Sequence, residues 1–125
     1  MDYQPLSQQL TYQQVAQVTH RFYEAVLADP QLIPHFTHIT DWPEHEHYIT
    51  DFWWGMLGGQ VDNPRPNAME AGHRDLDLGQ ADLERWLELF EQTLYQELDG
   101  TIAARWAAQA KHIGTMMVMK GLVKD

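Results

Sequence analysis

Cysteine is absent from this 125-residue chain, which excludes a disulfide scaffold, thiolate metal sites and thiol catalysis. No apolar run approaches the roughly 18 residues that a membrane-spanning helix needs. The opening Met1-Asp2-Tyr3-Gln4-Pro5 is too polar for a signal peptide. Basic residues are scarce as well. Eight Lys and Arg stand against eighteen Asp and Glu, for a formal charge of -10, and they are scattered along the chain, so nucleic acid is a poor partner. The acidic excess speaks mainly to solubility. Together these absences give the expectation of a cytoplasmic protein that touches neither membrane nor nucleic acid. Strand-like alternation, internal repeats and low-complexity tracts are also missing, leaving an all-α chain.

What is present is enough apolar material for one core. With 44% hydrophobic residues, 1–125 reads as a single domain. The spacing of Val15, Val18, Phe22, Tyr23, Val26 and Leu27 predicts a helix over Leu10–Leu27, with Thr11 as its cap and Asp29-Pro30 as its stop. Gln31–Thr40 reads as a short helical turn anchored by Leu32, Ile33, Phe36 and Ile39. A second helix starts near Asp41-Trp42-Pro43. From Gly58 to Gly72 the composition is that of a loop. Helix returns over Gln80–Leu98, with capping-box spacing between Asp77 and Gln80 and a stripe of Leu83, Trp86, Leu87, Phe90, Leu94 and Leu98. Gly100 is expected to end it. A last helix from Thr101 to about Val123 is expected to bury Ile102, Trp106, Ile113, Met116 and Met117.

Four side chains on this scaffold carry chemistry. Glu44-His45-Glu46-His47 invites a metal-hydrolase reading, but residues two apart on a helix point about 200° away from each other and cannot share an ion. His45 instead falls among Ile49, Phe52 and Met56 on the apolar face, while His47 sides with Asp51 and Trp54. Tyr23 lies on the inward stripe with a hydroxyl that needs a partner when buried, and Trp86 adds an indole N–H. His73 follows the Pro/Gly/Asn-rich segment in Met69-Glu70-Ala71-Gly72-His73-Arg74-Asp75-Leu76. A plain reading makes each of these a core or surface residue. A more economical one is a flat apolar cofactor gripped by one histidine, with a polar cluster facing a small ligand on the other side.

The motifs Arg21-Phe22-Tyr23-Glu24, Pro34-His35-Phe36, Asp51-Phe52-Trp53, His73-Arg74-Asp75-Leu76 and Arg85-Trp86-Leu87-Glu88-Leu89-Phe90 occur in this order. Together they resemble the truncated haemoglobins, specifically group III, from about Tyr12 to about Met119. The stretch from Gly59 to His73 is longer than the family pattern, and Asp77 stands where the family often has proline.

The resemblance implies a shortened globin, two helices packed over two around haem b. It makes His73 the iron ligand, places Phe36, Phe52 and Phe90 against the haem, and assigns Tyr23, His45 and Trp86 to the ligand pocket. The implied ligands are dioxygen, nitric oxide, carbon monoxide or peroxide. Implied activities are nitric oxide dioxygenase-like or peroxidase-like redox chemistry, with an unidentified reductase, or oxygen handling rather than bulk oxygen transport. The alternative is a haem-free helical sensor or interaction module on a globin scaffold. His20, His35, His38, His47 and His112 are expected at the surface, and Met116, Met117 and Met119 as core filling rather than iron ligands.

Overall fold

The computed structural model describes residues 4–62, 73 and 76–124. Helix α1 spans Tyr12–Leu27. Its start is a reciprocal cap in which Gln14 N donates to Thr11 Oγ1 at 3.1 Å and Thr11 N donates to Gln14 Oε1 at 2.8 Å, pairing two backbone N–H groups that the helix cannot satisfy itself. Val15, Val18, Phe22 and Val26 form the buried stripe. Each such side chain taken fully out of water contributes about 1.5–3 kcal/mol. Leu27, expected on that stripe, is 44% exposed at the last turn.

After α1 the chain turns through a 3-10 helix at Ile33–Phe36 and enters α2, Trp42–Met56. Asp41 caps α2 by accepting from Glu44 N at 3.1 Å, and Pro43 sits in the first turn, where a missing N–H costs nothing. The inward side of α2 is Thr50, Trp53 and Leu57, one register over from the expected stripe, so Ile49 and Phe52 are only partly buried and Met56 is 43% exposed. Gly58 then reverses the chain at φ 104°. A Cβ there would lie 2.6 Å from Pro5 Cβ, so the N-terminal turn packs directly on glycine and Ser7 N reaches Leu57 O at 2.9 Å. Residues 63–72, most of the expected long loop, lie outside the described residues.

Helix α3 spans Gln80–Glu97 and α4 spans Gly100–Met119. Two expected boundaries are corrected here. The cap of α3 is Gly79, whose N–H is taken by Asp82 Oδ2 at 3.0 Å, whereas Asp77 pairs with Lys124 Nζ at 3.1 Å. Gly100 opens α4 rather than ending α3, because the break falls at Leu98, which is extended at φ -130° and ψ 159°. The last helix also stops at Met119, short of Val123. Lys124 N donates to Leu78 O at 2.7 Å and Gln80 N to Lys124 O at 2.8 Å, so the C-terminal segment is pulled back along the entry to α3, burying Leu122 and Val123. Met116, expected in the core, is 36% exposed.

The helices pack as two over two: α1 lies against α2, α3 against α4, and α1 crosses onto α3 to join the pairs. Among the described residues there is no strand, only the isolated bridge between Gly79 and Lys124. Phe22, Phe90 and Trp106 fill the junction, with Phe90 edge-on to Phe22 at 5.0 Å and to Trp106 at 5.7 Å.

Candidate functional site

Because the inward side of α2 is offset, the stripe of His45, Ile49 and Phe52 is left facing a cavity of about 350 Å³. Leu32 just before the 3-10 turn and Phe36 at its end, Trp53, Leu83 and Trp86, and Ile113 and Met117 from α4 supply most of the remaining apolar wall. Its size and predominantly apolar lining are those of a small-molecule or cofactor site, for which roughly 300–1,000 Å³ is usual. The polar side chains that break this wall are Tyr23, His35, His38, His45, Tyr48, His73 and Asp82.

Tyr23 and His45 form the central polar contact. His45 Nε2 lies 3.1 Å from Tyr23 Oη, and the tyrosine ring is further enclosed by Phe36 at 5.8 Å and Trp42 at 5.3 Å. Burial, reinforced by the charge of Glu46, pushes the Tyr23 phenol far up, so it stays a protonated donor at any physiological pH. Burial likewise lowers His45, and the nearby His38 and His73 add to this against the opposing pull of Glu46. A neutral imidazole carries one ring proton. Either Nε2 accepts from the tyrosine hydroxyl, or Nε2–H donates to it and the hydroxyl proton is released toward the cavity.

The rim is held by two carboxylates. Asp29 is buried and accepts from Gln31 N at 2.9 Å, Leu32 N at 3.1 Å and Arg85 Nε at 2.7 Å. Burial alone raises its carboxyl, but Arg85 and the two backbone N–H groups outweigh this and hold it below the usual carboxylate range. Asp82, already capping α3, also meets His35 Nε2 at 3.2 Å. The 3-10 turn that carries His35 and Phe36, with Leu32 just before it, is thereby tied to α3 one turn from Trp86. His73 has helical backbone, is half-buried at the cavity, and its carbonyl accepts from Leu76 N at 3.2 Å.

Residues 10–118 match the bacterial-like globin family. The chain belongs to that family. This globin is 33% identical over 123 residues to a group 3 truncated haemoglobin of Campylobacter jejuni, covering 90% of this chain and 94% of that one. The crystal structure of a group III truncated haemoglobin from Campylobacter jejuni superposes with a TM-score of 0.76 at 30% identity, covering 93% of this globin and 91% of the other chain. A group II truncated haemoglobin from Bacillus anthracis gives a TM-score of 0.71 at 23% identity over 90% and 91% of the two chains, a likeness of fold. The fold is thus that of the truncated globins, as the motifs imply.

Of the residues singled out in the sequence of this globin, Tyr23, Phe36, His45, Phe52, His73 and Trp86 line the one cavity. Phe90 does not. It sits behind the wall, stacked on Trp53 at 5.1 Å and Trp86 at 5.0 Å. His35, expected at the surface, is partly buried and lines the cavity, because the 3-10 turn folds over the start of α3, whereas His38 is exposed as expected while also lining the cavity. His47 is exposed and pairs with Asp51 at 3.5 Å, so it is separated from His45 as the helix geometry requires. Trp42, Tyr48 and Asp82 were not singled out. Trp42 and Tyr48 left a usable sign, standing three residues before and three residues after His45 on the same helix face.

Proposed function

We propose that this globin holds haem b in the cavity, with His73 as the iron ligand, and uses the opposite wall to bind small diatomic ligands or peroxide for redox chemistry. One observation carries the reading: His73 and the Tyr23–His45 pair line the same, predominantly apolar, cavity. The donor set fits. Among the described residues no three His, Asp or Glu side chains gather to chelate a bare ion, whereas a metal carried in its own flat macrocycle needs only one protein nitrogen. Without cysteine the macrocycle has no thioether attachment, which excludes a c-type haem and is consistent with the non-covalent b type. When bound, haem supplies an iron with a coordination position for dioxygen, nitric oxide, carbon monoxide or peroxide.

The protein's own residues then set what happens to the ligand. Tyr23 stays protonated and can offer its hydroxyl hydrogen, while His45 orients that hydroxyl through the 3.1 Å contact and stands half-exposed at the rim. Trp86 offers a second N–H, a donor that cannot accept. Hydrogen bonds to a ligand that gains negative charge contribute about 1.5–3 kcal/mol each. Two donors on one ligand slow its departure, which suits nitric oxide dioxygenase-like or peroxidase-like turnover better than oxygen transport. Such turnover needs electrons from a reductase or small reductant. The Ile49, Phe52, Leu83 and Met117 walls keep water from competing for the donors. We place this chemistry in the cytoplasm, consistent with a chain in which no described helix is long and apolar enough to cross a membrane.

Titration of the purified protein with hemin tests the reading. One equivalent taken up with an intense Soret band and a raised unfolding temperature is the expected result. A colourless protein whose unfolding temperature ignores hemin contradicts it.

A further inference from the structure

Aromatic rings run from the cavity wall to the protein surface. Trp86 and Trp53 both line the cavity, with ring centroids 6.5 Å apart and planes 22° from parallel, and Phe90 stacks on both. Trp54 is the next residue of α2 after Trp53 and is joined to it through the backbone, with no ring contact between the two. Its ring lies over Gly59 so closely that a Cβ there would fall 2.2 Å from Trp54 Cε2, which fixes where the indole rests. The ring of Tyr12, at the start of α1, meets Trp54 edge-on at 5.9 Å. Indoles and phenols are the side chains most readily oxidised by one electron, so this series is a set of stepping stones.

The two ends of the aromatic cluster differ in what they can do with a proton. Trp106 packs on Trp53 at 5.8 Å but is wholly buried, and among the described residues its Nε1–H is the buried side-chain polar group with no hydrogen-bond partner. Oxidised there, an indole has nowhere to send its proton and becomes a buried cation, which a low-dielectric core disfavours. Tyr12 is the opposite case. Its hydroxyl donates to Asp51 Oδ1 at 2.5 Å, with His47 Nδ1 at 3.4 Å, and His47 Nε2 in turn lies 3.5 Å from Asp51 Oδ2 on the exposed side of α2. Burial, then the hydrogen bond and charge of Asp51, raise the Tyr12 phenol to about 12, so the proton is in place before oxidation.

We propose that Trp86, Trp53, Trp54 and Tyr12 form a one-electron path from the cavity to the surface, and that Tyr12 is the outlet at which a phenolic or ascorbate-like reductant is oxidised. The inference rests on the haem reading above, with hydrogen peroxide as the oxidant. One electron leaves Tyr12 through Trp54, Trp53 and Trp86 to the oxidised site, and the phenolic proton passes to the Asp51 carboxylate, leaving a neutral tyrosyl radical. A hydrogen-atom donor AH then restores Tyr12 and releases A•, and Asp51 returns its proton through His47 and water. Two such cycles complete the balance, H2O2 + 2 AH → 2 H2O + 2 A•. Tyr23 is buried against the cavity and gives a bulky donor no comparable station, and Tyr48 lines the cavity itself.

The test is electron paramagnetic resonance on haem-loaded protein frozen just after peroxide is added, with loading checked by absorption. A tyrosyl signal is expected in the wild type, lost in Tyr12→Phe and in Trp54→Phe, and kept in Tyr95→Phe. Trp54→Phe decides the path, since Tyr12 and its bond to Asp51 remain there. Should that variant fail to fold, Asp51→Asn replaces it, with loss of the signal expected because the proton acceptor is gone. An unchanged signal in Tyr12→Phe, or none in the loaded wild type, overturns the path and leaves the haem reading standing. A protein that takes up no haem overturns the haem reading itself.

Discussion

Replacing Tyr23 by phenylalanine removes one oxygen from the cavity and little else, because the ring stays clamped among Phe22, Phe36, Trp42 and His45 at centroid distances of 5.3, 5.8, 5.3 and 5.2 Å. A charge-assisted hydrogen bond contributes about 1.5–3 kcal/mol. At about 1.4 kcal/mol per factor of ten, its loss speeds dioxygen release by roughly 10- to 150-fold. The lower end is expected. The same hydroxyl also contacts His45 at 3.1 Å, so part of the bond to ligand is exchanged for one given up. Carbon monoxide accumulates less charge and should respond less. Stopped-flow displacement of both gases from wild type, Tyr23→Phe, Trp86→Phe and the double variant measures the effect. The double variant should depart from additivity, since two donors share one acceptor. Dioxygen release unchanged in Tyr23→Phe would refute the assignment of that hydroxyl to the ligand.

His45→Leu should change ligand association more than haem retention, and flash photolysis giving equal association rates in both proteins from about pH 5 to about pH 8 would remove His45 from the entry route. Asp29 is held below the usual carboxylate range, so its contribution to stability is present above the unfolded value of roughly 3.9 and is lost as pH falls through the lower folded value. Asp29→Asn should therefore melt below wild type at neutral pH, with the gap closing in acid; a constant gap across the acid range contradicts the Arg85 pairing. Gly58→Ala places a side chain at φ 104° against Pro5 and should cost about 1–3 kcal/mol in chemical denaturation, where a neutral result would mean the N-terminal turn moves away freely.

The parts of this architecture that could be read ahead are those written in local spacing. Thr11 with Gln14 and the Val15, Val18, Phe22, Val26 stripe define α1 within the chain's own next turn, and the separation of His45 from His47 follows from helix geometry alone. What escaped depends on contacts between distant segments. Asp82 caps α3 by reaching back to Gly79, a residue with no side chain to advertise the role, whereas Asp77 carries the more obvious capping side chain. Phe90 shares a stripe with Trp86 one turn earlier, and periodicity cannot say which of two inward rings faces a cavity and which stands behind it. His35 sits in a 3-10 turn of four residues, too short for any pattern to show that it folds over α3. The family resemblance reaches further into the site than periodicity does, since it implies that Tyr23, His45, His73 and Trp86 share a pocket, and all four line the cavity.

The central claim is that His73 carries the iron, and it is tested most directly by His73→Gly with imidazole added back. The account predicts weakened hemin retention and an altered spectrum in the variant, with partial recovery when imidazole occupies the space left by the side chain. A variant that retains hemin with unchanged ferric and ferrous spectra, and ignores imidazole, would mean that another residue holds the metal.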